Sequence, residues 1–205
     1  MKWRWQSPLN SIINGVLKTV PVSDAEIINT LQKEGEPSLL AFCDLSPLLR
    51  TGIKFESTTT PLPPVNQTAV AAGGEILCRL GEDELLLLAA PDGQMNTKDT
   101  LPAASVEIPR RDGLCWIGLC GERANDLLAR LCAAPPPVSP NLSQTVVADI
   151  GAILIPDGRT KTPTYHLLTD IGYAEYLWLS ISKVAESLQG APIGWENWKS
   201  LYKKP

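Results

Sequence analysis

Residues 114–132, LCWIGLCGERANDLLARLC, constrain this chain more than any other stretch, because they spell a buried strand, a glycine turn and an amphipathic helix in succession. Leu114, Trp116, Ile117 and Leu119 make a short apolar run, and Gly121 breaks it where the backbone must change direction. Ala124, Leu127, Leu128, Leu131 and Cys132 then recur at i, i+3, i+4, i+7 and i+8, one face of a helix. Arg123, Asn125, Asp126 and Arg130 fall on the opposite face. The unit contains no serine–histidine pair, metal spacing or phosphate loop, so it speaks for fold rather than chemistry.

A chain of 205 residues can bury a sizeable core in one body built from two halves. The formal charge of −4 argues against nucleic-acid binding, which needs clustered Lys and Arg. No apolar run reaches the roughly 18 residues of a membrane span, and MKWRWQSPLN lacks the apolar core of a signal peptide, so the expected location is cytoplasmic. The five cysteines, Cys43, Cys78, Cys115, Cys120 and Cys132, sit in apolar surroundings and read as buried thiols. A metal site on Cys115, Cys120 and His166 is disfavoured, because C-x4-C in a strand has no turn to converge its ligands.

Taken in order, residues 1–22 form an arm in which Trp3 and Trp5 alternate with Lys2 and Arg4. Ser23 and Glu26 have capping-box spacing, and Ile27, Ile28 and Leu31 follow, which predicts a helix over 23–34 ended by Gly35. Strands are expected on either side of Ser46-Pro47 within 39–55. A proline–threonine loop should fill 56–66, and a hairpin should join 75–80 to 84–89. Leu85–Leu88, apolar on both faces, predicts a central strand, with a polar loop over 91–101 and a strand over 104–108. Further strands are expected at 145–148, 152–155 and 165–169, then a helix over 173–188 with Asp170 near its start. Trp195, Trp198 and Tyr202 make an aromatic stripe on a short terminal helix beside Lys199, Lys203 and Lys204. Such a stripe docks either on its own body or on a partner. The whole reads as α+β: antiparallel sheets with helices on one face.

Candidate chemistry is sparse. His166 lies inside a strand with no acid or nucleophile fixed beside it in sequence, and Glu82, Asp83 and Glu84 read as a solvated turn. Residues 157–161, DGRTK, read first as a solvated polar loop tip; the alternative is that Arg159 and Lys161 grip a carboxylate tail. No catalytic residue and no metal ligand is assigned.

Four segments together resemble a known family. They are Asp44-Leu45-Ser46 with Ile53-Lys54-Phe55; residues 79–87, RLGEDELLL; Trp116–Cys132; and residues 173–178, YAEYLW, with 190–194, GAPIG. Their order is similar to that of the gamma subunit of heterotetrameric sarcosine oxidase, within the glycine-cleavage T-protein-like, folate-binding aminomethyltransferase group. The resemblance implies ferredoxin-like repeats, divided as an N-terminal arm and helix (1–38), a reduced first repeat (39–112), a second repeat (113–194) and an aromatic and basic tail (195–205). It implies a small gamma-type subunit of a flavin-dependent sarcosine (N-methyl amine) oxidase or dehydrogenase linked to tetrahydrofolate one-carbon transfer. The partners would be larger flavoprotein subunits carrying the flavin and nicotinamide. Tetrahydrofolate would belong to the complex, with Arg159 and Lys161 touching its tail, and Trp195, Trp198 and Tyr202 would be partner-facing. The 56–66 loop stands where related chains have a helix, and the Lys-Gly-Cys-Tyr-x-Gly-Gln-Glu segment of the iron–sulfur-maintenance members is absent. Two alternatives stay open: a stand-alone folate-binding protein or aminomethyltransferase, and a scaffold that has lost its ligand.

Overall fold

Strand periodicity, rather than helix, organises the N-terminal residues. The computed structural model describes residues 4–56, 58, 60–96, 102 and 105–203. Strands β1 (Val16–Val22) and β2 (Ala25–Leu31) form an antiparallel hairpin in which Val22 faces Ala25 across a Ser23-Asp24 turn, with Ser23 at φ 54°. The helix expected over 23–34 is therefore absent. Its apolar residues fit a strand as well: Ala25 and Ile27 alternate on one face, with Ile27 in the core between the sheets, while Ile28 and, past a register shift in the hairpin, Leu31 join the core beneath the helices. The supposed capping glutamate, Glu26, instead pairs with Arg4 at 2.8 Å. Trp3 of the arm lies outside the described residues. Trp5 packs on this chain, donating from Nε1 to Asp112 at 2.7 Å.

A five-stranded antiparallel sheet carries most of the first half. Its members are β4 (Arg50–Lys54), β5 (Thr68–Val70), β6 (Ile76–Arg79), β7 (Glu84–Leu88) and β8 (Val106–Pro109), in the order β5-β6-β7-β4-β8. The β6–β7 hairpin and the central place of β7 match the sequence expectation. Among the described residues this half contains no helix, and the 91–101 loop is described only to residue 96.

A six-stranded sheet comprises β3 (Ala41–Asp44), β9 (Leu114–Cys120), β10 (Ser143–Val147), β11 (Ile150–Pro156), β12 (Thr164–Asp170) and β13 (Ala191–Pro192). Their order is β10-β11-β12-β9-β3-β13. Helix α1 (Ala124–Leu131) follows β9 and helix α2 (Ala174–Ser187) follows β12, giving the path β9-α1-β10-β11-β12-α2-β13, a ferredoxin-like strand–helix–strand–strand–helix–strand order with one extra strand, β10, between the helices. β3 comes from the first half of the chain yet lies between β9 and β13, so residues 39–112 supply strands to both sheets.

The turn into α1 needs glycine: Gly121 has φ 117°, and a Cβ there would lie 2.4 Å from the Leu39 carbonyl oxygen. Ala124, Leu127 and Leu128 are buried as the helical spacing requires. A single 3-10 turn, Ile171–Tyr173, leads into α2, and Asp170 accepts the Gly172 N–H at 2.8 Å at its start.

Alternation along β9 builds three layers. Cys115, Ile117 and Leu119 face α1 and α2, whereas Trp116 and Cys120 face the other sheet. The strand order and the alternation together leave Gly118 on the same side as Trp116. Ile53, Leu77, Leu85 and Leu87 bury the outer face of the five-stranded sheet. Arg50 fastens the crossover between the sheets. Its Nη1 donates to the Ser46 and Leu48 carbonyls at 2.8 Å, and its Nη2 to Arg111 at 2.8 Å and to Leu114. Burial pulls this guanidinium down to about 10. Among the described residues no helix is long and apolar enough to cross a membrane.

Candidate functional site

The space between the sheets ends in a cluster of polar and aromatic side chains drawn from four separate stretches. β11 runs out at Pro156, and Asp157 begins the loop that returns to β12. Cross-strand pairing sets His166 opposite Ile155 on one side and Gly118 on the other, on the face that Trp116 occupies. Helix α3 (Trp195–Ser200) and the turn after it supply Trp198 and Tyr202.

Asp157 is the common acceptor. Its Oδ2 takes hydrogen bonds from Arg159 Nη2 at 2.6 Å, Tyr202 Oη at 2.8 Å and His166 Nε2 at 3.1 Å. Its Oδ1 takes the Arg159 Nε at 2.8 Å and the Arg159 backbone N–H at 3.0 Å. Trp116 Nε1 lies 3.2 Å from His166 Nδ1. An indole nitrogen only donates, so Nδ1 is the acceptor, the ring is neutral, and its proton sits on Nε2 facing Asp157. Trp198 stands edge-on to His166 at 5.8 Å, and the Arg159 guanidinium lies 5.0 Å from the centre of the Tyr202 ring.

The electrostatics follow from these contacts. Burial alone would raise the Asp157 carboxyl, but the hydrogen bonds from Arg159 and His166 and the charge of Arg159 outweigh it and hold the group well below the usual carboxylate range. Burial, and then the Asp157 charge, push the Tyr202 phenol well above its ordinary value. Asp157 therefore stays ionised and Tyr202 neutral. Both imidazole nitrogens of His166 are occupied. As it stands the cluster is a clamp that holds the C-terminal helix, with no proton poised for transfer.

Outside the clamp lies an open cleft of about 800 Å³, lined by residues 35–38, by Arg159, Lys161 and Thr162, and by Asn197 and 200–203. The two residues expected to grip a carboxylate tail, Arg159 and Lys161, both reach it. Their states differ. Arg159 is bound to Asp157 and also donates to the Gly74 carbonyl, whereas Lys161 is exposed.

The expected partner-facing aromatics lie elsewhere. Trp195 is 6% exposed and Trp198 1%, both within the core between the sheets, and the Lys199 ammonium sits 4.1 Å over the Trp195 ring. Only Tyr202 reaches the cleft, with its hydroxyl held inward. The stripe docks on its own body because Gly118 leaves room for it: a Cβ at that position would come within 2.4 Å of the Trp198 ring.

Other candidates resolve simply. Glu82, Asp83 and Glu84 pair with Arg79, Lys54 and Arg110 around the β6–β7 turn, at distances of 3.1 to 3.3 Å. Cys115 and Cys120 fall on opposite faces of β9, which keeps their sulfurs apart. Asp157 was the functional residue that the residue pattern did not single out. The available signal was the single histidine, whose inward position on β12 demands a buried partner.

Tetrahydrofolate, the cofactor that the resemblance implies, needs a flat slot for its pterin and acceptors for the ring N–H groups. This cleft offers lysines for carboxylates. The buried acceptor, Asp157, is sealed behind Tyr202 with its side chain 1% exposed, and Trp198 fills the space above Gly118. The lining of this cleft does not fit the pterin.

Neither a protein-family model nor a curated protein matches the sequence. Solved structures do match. One is heterotetrameric sarcosine oxidase from Corynebacterium sp. U-96 in complex with pyrrole 2-carboxylate. It superposes with a TM-score of 0.60 at 16% identity, over 77% of this chain and 89% of the matched chain. Another is glycine cleavage system aminomethyltransferase T from Bartonella henselae, with a TM-score of 0.69 at 14% identity. That superposition covers 97% of this chain and 62% of the aminomethyltransferase, so this chain spans under two-thirds of that enzyme. At such identities the likeness is one of backbone architecture. The chain therefore has the α+β fold of the glycine-cleavage T-protein type.

Proposed function

We propose that the protein is a small, gamma-type subunit of a heteromeric flavin-dependent oxidase or dehydrogenase of sarcosine or a related N-methyl amine, linked to tetrahydrofolate one-carbon transfer. The observation that carries this is the extent of the match. The superposed residues are 77% of this chain but 89% of a chain of heterotetrameric sarcosine oxidase, so that chain is the shorter of the two. The clamp points the same way, since its titratable groups are all committed to one another. Flavin and nicotinamide would lie in larger partner subunits, and tetrahydrofolate would be held by the complex. The test is to isolate the tagged chain from its native cell. Co-elution with a flavin-absorbing protein at a heteromeric mass is expected. A monomer that oxidises sarcosine unaided would sink the proposal.

A second function draws on the aminomethyltransferase superposition, which spans 97% of this chain: a stand-alone folate-binding protein or aminomethyltransferase. Calorimetric titration of the purified chain with tetrahydrofolate separates it from the first, because a subunit that leaves folate to its partners gives no heat. The Trp198 ring seated over Gly118 favours a third, a scaffold that kept the fold after its ligand site filled. Such a scaffold would bind neither folate nor a flavoprotein.

A further inference from the structure

In a protein of formal net charge −4, the cleft beside the clamp is lined by three cations, Arg159, Lys161 and Lys203, and one carboxylate, Glu36. Of these four charges Arg159 is already answered, and Glu36 keeps its negative charge. Arg159 is neutralised by Asp157, with Nη2 at 2.6 Å and Nε at 2.8 Å. Glu36 turns back on its own loop, accepting the Ser38 hydroxyl at 3.0 Å and the Ser38 N–H at 3.4 Å. Lys161 has no carboxylate within ion-pair distance among the described residues. Lys203 reaches Glu196 only at 3.7 Å, with both side chains well solvated, at 69% and 49% exposure. The cleft thus presents two available ammonium groups from two different segments, the β11–β12 loop and the C-terminal turn. Apolar surface from Pro37, Leu201 and Tyr202 lines the same cleft.

Size narrows the ligand further. A volume of about 800 Å³ falls within the roughly 300–1,000 Å³ of pockets that hold small organic molecules, and is far more than an inorganic anion fills. The one guanidinium present already has its fork on Asp157, which leaves two separate point charges, a pattern that suits a ligand carrying two anionic groups held apart.

We propose that this cleft binds an organic dicarboxylate, with one carboxylate on Lys161, the other on Lys203, and the carbon body along Tyr202 and Leu201. The site holds whether or not the protein assembles with a flavoprotein. Its ligand is either a free small diacid or two neighbouring acidic side chains on a segment of another protein. Both present the same chemistry, and the probes below tell them apart.

The test is isothermal calorimetry on the full chain at low salt with acetate, glutarate and an amino-acetylated tetraglutamate peptide. Variants are Lys161→Gln, Lys203→Gln and the double, with Lys18→Gln, exposed on β1 away from the cleft, as control. Glutarate should bind at least about tenfold more tightly than acetate, each single cleft variant should lose about tenfold, and the control should lose nothing. Because these lysines are exposed, the variants should keep the wild-type melting curve. Tetraglutamate weaker than glutarate identifies a free diacid; tetraglutamate equal or tighter identifies an acidic segment. No preference for glutarate over acetate, or an undiminished affinity in the double variant, overturns the proposal.

Discussion

Replacing Asp157 by alanine should be the most damaging single change at the clamp. The substitution strips the acceptor from Tyr202 Oη, His166 Nε2 and the Arg159 guanidinium, with the aspartate side chain 1% exposed and His166 3%. Breaking a buried ion pair by removing one partner costs about 3–5 kcal/mol, because the other charge is left uncompensated. Arg159 retains 21% exposure and can turn its charge toward the cleft, which favours the lower end, about 3 kcal/mol. For a chain of this size that corresponds to a fall in Tm of roughly 6–12 °C. Urea denaturation followed by tryptophan fluorescence measures the loss, and the double variant Asp157→Ala/Arg159→Ala supplies the cycle. It should be less destabilised than the two single changes combined, by about 1 kcal/mol or more, since removing both partners leaves no orphaned charge. A single-variant loss below about 1 kcal/mol, or strict additivity, would refute the clamp as the element that fixes the C-terminal helix.

Four further outcomes are expected. Gly118→Ala should cost about 1–3 kcal/mol by overpacking, because its Cβ would press on a Trp198 ring that is 1% exposed; denaturant midpoints check it, and Trp198→Leu in the same chain should relieve part of the cost. All five cysteines are buried, and burial raises every thiol, Cys115 and Cys120 to about 12, so the native protein should resist Ellman's reagent near pH 8 and yield its thiols only on unfolding. Asp24, bound to Arg111, is lowered to about 2, so its share of stability is complete above the ordinary carboxylate range and is lost as pH falls from about 4 through about 2. With Asp24 62% exposed the share is small, and Asp24→Asn should flatten that part of the acid limb by only a few tenths of a kcal/mol, read from melts across the range. Arg50→Met should destabilise by about 2 kcal/mol or more, since the Ser46, Leu48, Arg111 and Leu114 carbonyls lose a shared donor; a loss under about 0.5 kcal/mol would contradict the crossover role.

Local periodicity carried much of the architecture. α1 and α2 were legible because a helical period held over the whole element with one apolar face, and β9 and the β6–β7 hairpin because short continuous apolar runs were bounded by turn residues. The 23–34 segment misled because its strand is buried on both faces, so that Ile27, Ile28 and Leu31 satisfied a helical count as well as an alternating one. The insertion of β3 beside β9 was not legible at all, since a pattern of alternation says which way side chains point and nothing of which strand lies next door. For the same reason Arg159 and Lys161 were found as a basic loop tip, while the hold of Asp157 on Arg159, His166 and Tyr202 was not. Those groups meet only after β11, β12 and α3 are packed.

The strand that sits in the far sheet bears on how the chain reaches its native state. β3 pairs antiparallel with β9 and parallel with β13, so Ala41 contacts both Cys120 and Ala191. During synthesis, the early strand must wait with one edge open until residues 191–192 have left the ribosome. Contacts this distant in sequence slow folding and lengthen the exposure of unpaired edges. Of two halves expressed separately around residue 112, the first should keep its five-stranded sheet but leave β3 without partners, and the second should lack the strand between β9 and β13; co-expression should rescue both by letting β3 cross between fragments.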